Sequence, residues 1–273
     1  MFTKNAKDHV CCTCGTQFPP SEGPPETCAI CLDERQYVGW RGQRWTSVSD
    51  LAERSVIRFE DATGVMTLVQ DPSFAIGQRA FLIPHRGSHV MWECLSTVTD
   101  EAVERIETMG GVSAIAISHP HFYTAMNTWS DALGGVPIYL HAADREFVQF
   151  PSNAIRFWEG DRFELSPSLE LVRLPGHFEG CAGLFWKDGP RPGGSLFPGD
   201  AIQVVMDRRY ATFMYSYPNA IPLGATALAR LEHHADRLQY DDVYGYSRDR
   251  QIIGGAKARI DASFARFRSA LAA

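Results

Sequence analysis

Four cysteines in two close pairs, Cys11-x-x-Cys14 and Cys28-x-x-Cys31, constrain this 273-residue chain more than any other feature. Two intervening residues let both sulfurs of a pair face one ion, and the loop between the pairs brings them together, so a tetrahedral four-cysteine zinc site is expected. Gly15, directly after the second ligand, suits a tight knuckle in which the backbone turns back on a sulfur. Residues 1–45 hold a Pro/Gly-rich connector, FPPSEGPPE, and few apolar runs. Such a segment buries no core unaided, and a metal staple is the remedy. The expected module is therefore zinc-ribbon-like. A closed four-thiolate site leaves no position for substrate, so its expected role is folding. Cys12 in place of Cys11 is the less favourable alternative, because only one residue would then separate it from Cys14. Cys12, Cys94 and Cys181 otherwise read as inert packing or surface residues. His9 stands beside the first pair as a neighbour of that zinc by proximity alone.

From Ser47 onward the pattern changes. Short β-rich runs alternate with helical periodicity, which predicts an α/β domain over 46–273 behind the 1–45 module. Strands are expected at 74–83, 90–96, 114–118, 136–142, 169–174, 182–188 and 241–246. Helices are expected at 99–109, 124–133, 222–238 and from about Arg248 to the C-terminus. The helix at 124–133 lies between two strands, as a crossover unit requires. No fixed-period repeat or low-complexity tract interrupts the pattern.

The formal charge of −6 speaks against a general nucleic-acid or anionic-membrane surface and favours a small-molecule substrate. No apolar run approaches the roughly 18–20 residues that span a bilayer, and MFTKNAKDHVCC lacks the apolar stretch of a secretory signal. The expectation is a cytoplasmic protein without a membrane partner. The sequence carries no signal for oligomeric state.

The stretch AIAISHPHFYTAMNTW carries the most chemistry. An apolar strand runs into Ser118-His119-Pro120-His121 and then into a helix. Two histidines one residue apart at the C-terminal end of a strand can direct both imidazoles to one ion. Downstream, LVRLPGHFEGCAGLFW puts His177 in a Pro-Gly turn between two strands. SLFPGDAI puts Asp200 after a glycine at the end of another strand.

In this order the motifs resemble those of the metallo-β-lactamase fold superfamily: HxHxDH, a His in a Gly-His turn, a Gly-Asp, and a late His. The resemblance covers roughly residues 55–273 and implies an αββα four-layer sandwich with the site at one edge. By position His119, His121 and His177 match the ligands of the superfamily's first metal, and Asp200 matches the aspartate that bridges or supports the metals. The rest of the motif is altered. Tyr123 and Thr124 stand where HxHxDH supplies Asp and His, and Tyr246 stands where the last His is expected. Glu93 lies near the position of an aspartate in the opening hairpin, either as a support of the site or as an ordinary hairpin carboxylate.

The resemblance implies a metal-dependent hydrolase with a mononuclear site of three histidines and an aspartate, holding zinc or another divalent metal such as iron or manganese. Three imidazoles leave one coordination place, where a metal-bound hydroxide forms near neutral pH. Asp200 would orient the water or bind the ion and accept the proton, while Tyr123 or Tyr246 would donate to the developing oxyanion. A single ion favours activated esters, lactones, thioesters or β-lactam-like amides over unactivated phosphodiesters. The alternative is a catalytically degenerate protein of the same fold that binds metal and ligand without turnover. A third reading, docking of a protein or nucleic acid on the zinc module, is disfavoured by the acidic balance.

Of the remaining histidines, His233 and His234 read as a helix surface and His85 and His89 as turn residues. His141, beside Asp144, ends a strand near the edge where the site is expected. The aromatic segment FMYSYPNAIPL walls a cleft or fills the core.

Overall fold

A computed structural model describes residues 8–247 and 249–272. By its internal contacts the chain divides into two compact units. The first runs to Leu140 and resumes over Arg145–Phe157, and the second comprises His141–Asp144 and the chain from Trp158 onward.

The first unit opens with the cysteine module. Strands β1 (His9–Cys11), β2 (Gln17–Phe18) and β3 (Trp45–Thr46) form a small antiparallel sheet in the order β2-β1-β3, and α1 (Ala29–Leu32) carries the second cysteine pair. Its core is the four cysteine sulfurs with Phe18 and Ile30, against which Trp45 and Phe147 pack. So few apolar side chains are too little to hold a segment of this size, and an ion among the sulfurs would supply what that core lacks.

Helix α2 (Val48–Arg54) follows, capped by Ser47, whose hydroxyl accepts from the Asp50 N–H at 3.0 Å. A seven-stranded sheet comes next: β4 (Val56–Asp61), β5 (Met66–Asp71), β6 (Arg79–His85), β7 (Ser88–Trp92), β8 (Val112–Ala116), β9 (Ile138–His141) and β10 (Ile155–Trp158), hydrogen-bonded in that order across the sheet. From β4 to β7 neighbours are antiparallel, while β7-β8 and β8-β9 are parallel. The parallel pairs require crossovers. Helix α3 (Asp100–Thr108), capped by Thr99, supplies one and α4 (Met126–Ala132) the other, as the sequence pattern predicts for the latter.

The second unit holds a six-stranded sheet of β11 (Arg162–Ser166), β12 (Leu169–Arg173), β13 (Ala182–Trp186), β14 (Ser195–Phe197), β19 (Asp242–Tyr244) and β20 (Gln251–Ile253). Between β14 and β19 lie two small hairpins, β15 (Gln203–Val204) with β16 (Ala211–Thr212) and β17 (Met214–Ser216) with β18 (Ile221–Pro222), followed by α5 (Ala225–Asp236). Helix α6 (Ala256–Ala272) closes the chain. Stacked rings fix this unit's interior, Phe197 on Tyr244 at 4.8 Å and Phe213 on Phe264 at 4.2 Å between centroids.

Every expected strand and helix has a counterpart, two of them shifted. The 74–83 run becomes a strand only at Arg79, because Gly77 at φ 75° turns the chain first. The C-terminal helix begins at Ala256, after strand β20, and Arg248 lies outside the described residues. Strands β4 and β5 precede the expected hairpin and extend its sheet. No helix among the described residues is long and apolar enough to cross a membrane.

Candidate metal centre

The apolar run of β8 ends at Ala116, and Ile117 and Ser118 carry the chain off the sheet to His119. Pro120, at the first position of a short 3-10 turn over Pro120–Phe122, fixes the backbone so that His121 falls within that turn. Both histidines are buried, and their rings stand edge to face at 5.1 Å. Glu93, at the end of β7, accepts the Ser118 N–H on its carboxylate at 3.1 Å. Ser118 Oγ lies 2.7 Å from His119 Nδ1, which occupies that nitrogen and makes Nε2 the ring's candidate ligand atom.

In the second unit His177 sits in the turn between β12 and β13. Gly176 has a φ of 149°, which favours glycine, and a Cβ there would lie 2.8 Å from Leu223 Cδ1 and oblige that side chain to shift. The His177 Nδ1–H donates to the Tyr215 carbonyl at 2.9 Å, with Met214 O at 3.3 Å. This bond sets the tautomer and places the lone pair on Nε2. Asp200 follows Gly199, whose φ of 53° turns the chain beyond β14. Tyr217 donates its phenolic O–H to the Asp200 carbonyl at 2.8 Å, and its ring lies 5.6 Å from that of His177. Burial, and then the charge of Asp200, push the Tyr217 phenol well above its ordinary pKa.

His119, His121, His177 and Asp200 each offer a ligand atom within 4.8 Å of the others, and all four residues are buried. Bonds of about 2.0–2.2 Å from imidazole nitrogen or carboxylate oxygen to zinc put this span within reach of one ion after small side-chain adjustments. A buried set of three imidazoles and a carboxylate suits zinc, iron or manganese.

The cysteines form a second group of the same kind. Cys11 and Cys31 Sγ are 3.5 Å apart, and Cys14 and Cys28 Sγ 3.6 Å. A tetrahedron of zinc–sulfur bonds near 2.3 Å has edges of about 3.8 Å, so the donor set fits that ion. Hydrogen bonds from Cys14, Cys28 and Cys31 hold the Cys11 thiol well below its ordinary pKa, while burial pushes Cys14 up. Gln43 donates to Cys11 Sγ at 3.1 Å and accepts the Cys28 N–H at 3.2 Å, tying the two pairs together.

YmaE of Bacillus subtilis (strain 168), an uncharacterized protein, is 41% identical over 240 residues, which cover 86% of this chain and 87% of YmaE. The chain belongs to the YmaE family. No family model matches the sequence. Among solved structures, VMB-1 aligns with a TM-score of 0.59 at 12% identity, over 78% of this chain and 98% of its own. The DIM-1 metallo-β-lactamase exposed to ceftazidime aligns with a TM-score of 0.57 at 12% identity, over 77% and 97%. At these identities the likeness is one of fold, and it establishes the metallo-β-lactamase fold, the αββα class expected from the motif order. The family member and the solved structures bear on different things: YmaE on descent, the lactamases on architecture.

The other candidates fall in distinct places. Cys12 stays outside the sulfur cluster, half-buried, with its N–H on the Arg44 carbonyl. Tyr123 is buried and lines a small cavity with Thr16, Gln17, Asn127, Gln149 and Phe150. Thr124 turns its hydroxyl to the Phe122 carbonyl at 3.3 Å. Tyr246 is half-buried, and burial followed by the charge of Asp200 raises its phenol above the ordinary value. His141 spends both nitrogens on the backbone, Nε2 on Gly160 O at 3.0 Å and Nδ1 on the Ala143 N–H at 3.2 Å, so it is a structural histidine. His233 and His234 belong to neither metal-competent group among the described residues. Tyr215 and Tyr217 support the centre without belonging to any motif, and their only sequence signal is the aromatic segment that contains them.

Proposed function

We propose that this chain is a metal-dependent hydrolase of small molecules, with one ion held by His119, His121, His177 and Asp200 and its substrate an ester, lactone, thioester or related activated bond. The observation that carries the reading is the convergence of these four buried ligand atoms within 4.8 Å. When bound, a divalent ion supplies Lewis acidity to a carbonyl oxygen and acidifies water toward neutral pH. The chain's residues do the rest. Ser118 and the Tyr215 carbonyl engage Nδ1 of His119 and of His177, which would leave Nε2 of each ring for the ion. Asp200 accepts the proton released by the attacking water on its carboxylate. Of the two tyrosines, Tyr246 is the better oxyanion donor, since the charge of Asp200 reaches it and its phenol stays protonated at neutral pH. The four-cysteine site holds zinc, and the acidic chain takes a small-molecule partner rather than nucleic acid.

A metal- and ligand-binding protein without turnover is the second reading. It is favoured by Thr124, whose hydroxyl faces its own backbone where the superfamily motif has a histidine. Metal analysis and a hydrolysis panel separate the two. Purified chain is expected to hold about two ions, one per cluster, with His177→Ala reducing the count to about one. Hydrolysis of any ester, lactone or thioester on the panel that disappears in His177→Ala supports the enzyme. Saturable ligand binding with no hydrolysis across the panel supports the second reading. An unchanged metal count in His177→Ala refutes the ligand assignment.

A further inference from the structure

The cysteine module and the loop that carries His119 and His121 share their hydrogen bonds. Gln78, 5% exposed, lies between them just ahead of β6. Its Nε2 donates to the Cys14 carbonyl at 2.7 Å and to the His121 carbonyl at 3.0 Å. Both partners are acceptors, so the amide orientation is fixed and both of its N–H donors are spent. Beside this bridge Ser96 Oγ donates to the Gly15 carbonyl at 2.9 Å. On the other side the Gln17 backbone N–H donates to the Thr124 carbonyl at 3.1 Å, and the Gln17 side chain exchanges bonds with Thr128 at 2.8 and 3.1 Å. The carbonyl of Thr124 is thus held from the module directly, and that of His121 through Gln78.

The loop needs such support. Thr124 has φ 34°, a conformation that a β-branched residue keeps only where its surroundings impose it. The module, for its part, has little core apart from its sulfurs, so an ion bound among the cysteines would be what keeps Cys14, Gly15 and Gln17 in place.

We propose that the cysteine module is a positioning element of the His/Asp centre and that Gln78, bridging Cys14 and His121, is the residue through which it acts. A closed structural site then has a second consequence. Loss of its ion loosens a ligand of the other centre, so the fitness of the His/Asp site to hold metal depends on occupancy of the cysteines. The inference rests on the reading that His119, His121, His177 and Asp200 bind an ion.

The test is a titration of the metal-free full chain with Co2+ alone. Thiolate-to-cobalt charge transfer reports the cysteine site, and weaker ligand-field bands report the His/Asp site. Gln78→Met keeps the shape of the side chain and removes both donors. It is expected to leave the charge-transfer band intact and to weaken Co2+ binding at the His/Asp site by about ten- to a hundredfold, the range for partners that orient metal ligands. Cys28→Ser is expected to abolish the charge-transfer band and to weaken the His/Asp site comparably, although Cys28 does not belong to it. The double variant is expected to lose no more than Cys28→Ser alone, since both changes cut one connection.

Should Cys28→Ser fail to fold, Gln78→Met carries the test by itself. Unchanged His/Asp affinity in Gln78→Met, or a lower unfolding midpoint with no change in affinity, overturns the coupling and leaves the hydrolase reading standing. Losses that multiply in the double variant also overturn it. Absence of Co2+ at the His/Asp site of the unaltered chain overturns both.

Discussion

The phenolic O–H of Tyr217 donates to the backbone carbonyl of Asp200 at 2.8 Å. Through its ring, 5.6 Å from that of His177, the same residue touches a second member of the proposed ligand set. One side chain therefore anchors the backbone of Asp200 and packs edge-on against the His177 ring. Tyr217→Phe keeps the ring and removes the donor, leaving a buried carbonyl short of a partner. The expected cost is about 1–3 kcal/mol in urea unfolding of the metal-free chain, together with weaker ion binding at the His/Asp site. Unchanged ion binding would reduce Tyr217 to a packing role.

Glu93 holds the segment that leads into the other half of the proposed ligand set. Its carboxylate accepts from the N–H of Ser118, and Ser118 in turn contacts His119. Glu93→Ala removes the acceptor from a buried N–H and is expected to cost about 1–3 kcal/mol. Glu93→Gln retains a carbonyl oxygen for that bond and is expected to cost less. Equal losses in the two variants, measured by chemical denaturation, would show that the bond to Ser118 contributes nothing and that the charge of Glu93 matters instead.

How much of this is legible in the sequence depends on which interactions leave a residue-type signature. An apolar strand entering Ser118-His119-Pro120-His121 is legible because both the burial of β8 and the ligand chemistry depend on side-chain identity. The same holds for the cysteine spacing and for Gly199-Asp200. The supports of these residues are not legible. His177 is oriented by the backbone carbonyl of Tyr215, which any residue would supply, and Gln78 reaches His121 from 43 positions away. Strand β4 escapes the pattern because none of its six residues is buried, so nothing in VIRFED requires apolar and polar residue types to alternate. In the motif Thr124 is a missing ligand, whereas its structural weight lies in its carbonyl and its φ.

His141 ties stability to pH. Burial holds its pKa below the ordinary 6.5, and its neutral tautomer donates from Nε2 to Gly160 and accepts from Ala143 at Nδ1. A histidine that titrates lower in the folded state than in the unfolded state binds fewer protons when folded. Its contribution is therefore complete above 6.5 and is lost as the pH falls from there through the folded pKa. His141→Gln is expected to be less stable than the unaltered chain by about 1 kcal/mol at about pH 7.5. The gap is expected to narrow by about pH 5, as the unaltered chain gives up this contribution. Denaturation at both pH values checks it, and a gap of constant size would show that His141 does not titrate in this window.

Gly15 is where the cysteine knuckle meets the rest of its unit, and two separable costs meet there. Its φ of +84° strains any residue with a Cβ, and an added Cβ would lie 2.3 Å from Ser96 Oγ, 3.3 Å from Ala75 Cβ and 3.4 Å from Gln78 Nε2. Gly15→Ala is expected to cost about 1–3 kcal/mol for the backbone alone. The Ser96 clash adds to this and breaks the bond from Ser96 to the Gly15 carbonyl. In a Ser96→Ala background the clash is gone, so Gly15→Ala should cost only the backbone part. Gly23→Ala is the control, since nothing lies within 4 Å of its Cβ position. Unfolding midpoints of the three single variants and of the Gly15/Ser96 double variant decide the matter. A Gly15→Ala cost that is the same with and without the Ser96 hydroxyl would mean that the knuckle moves away from Ser96 at no expense.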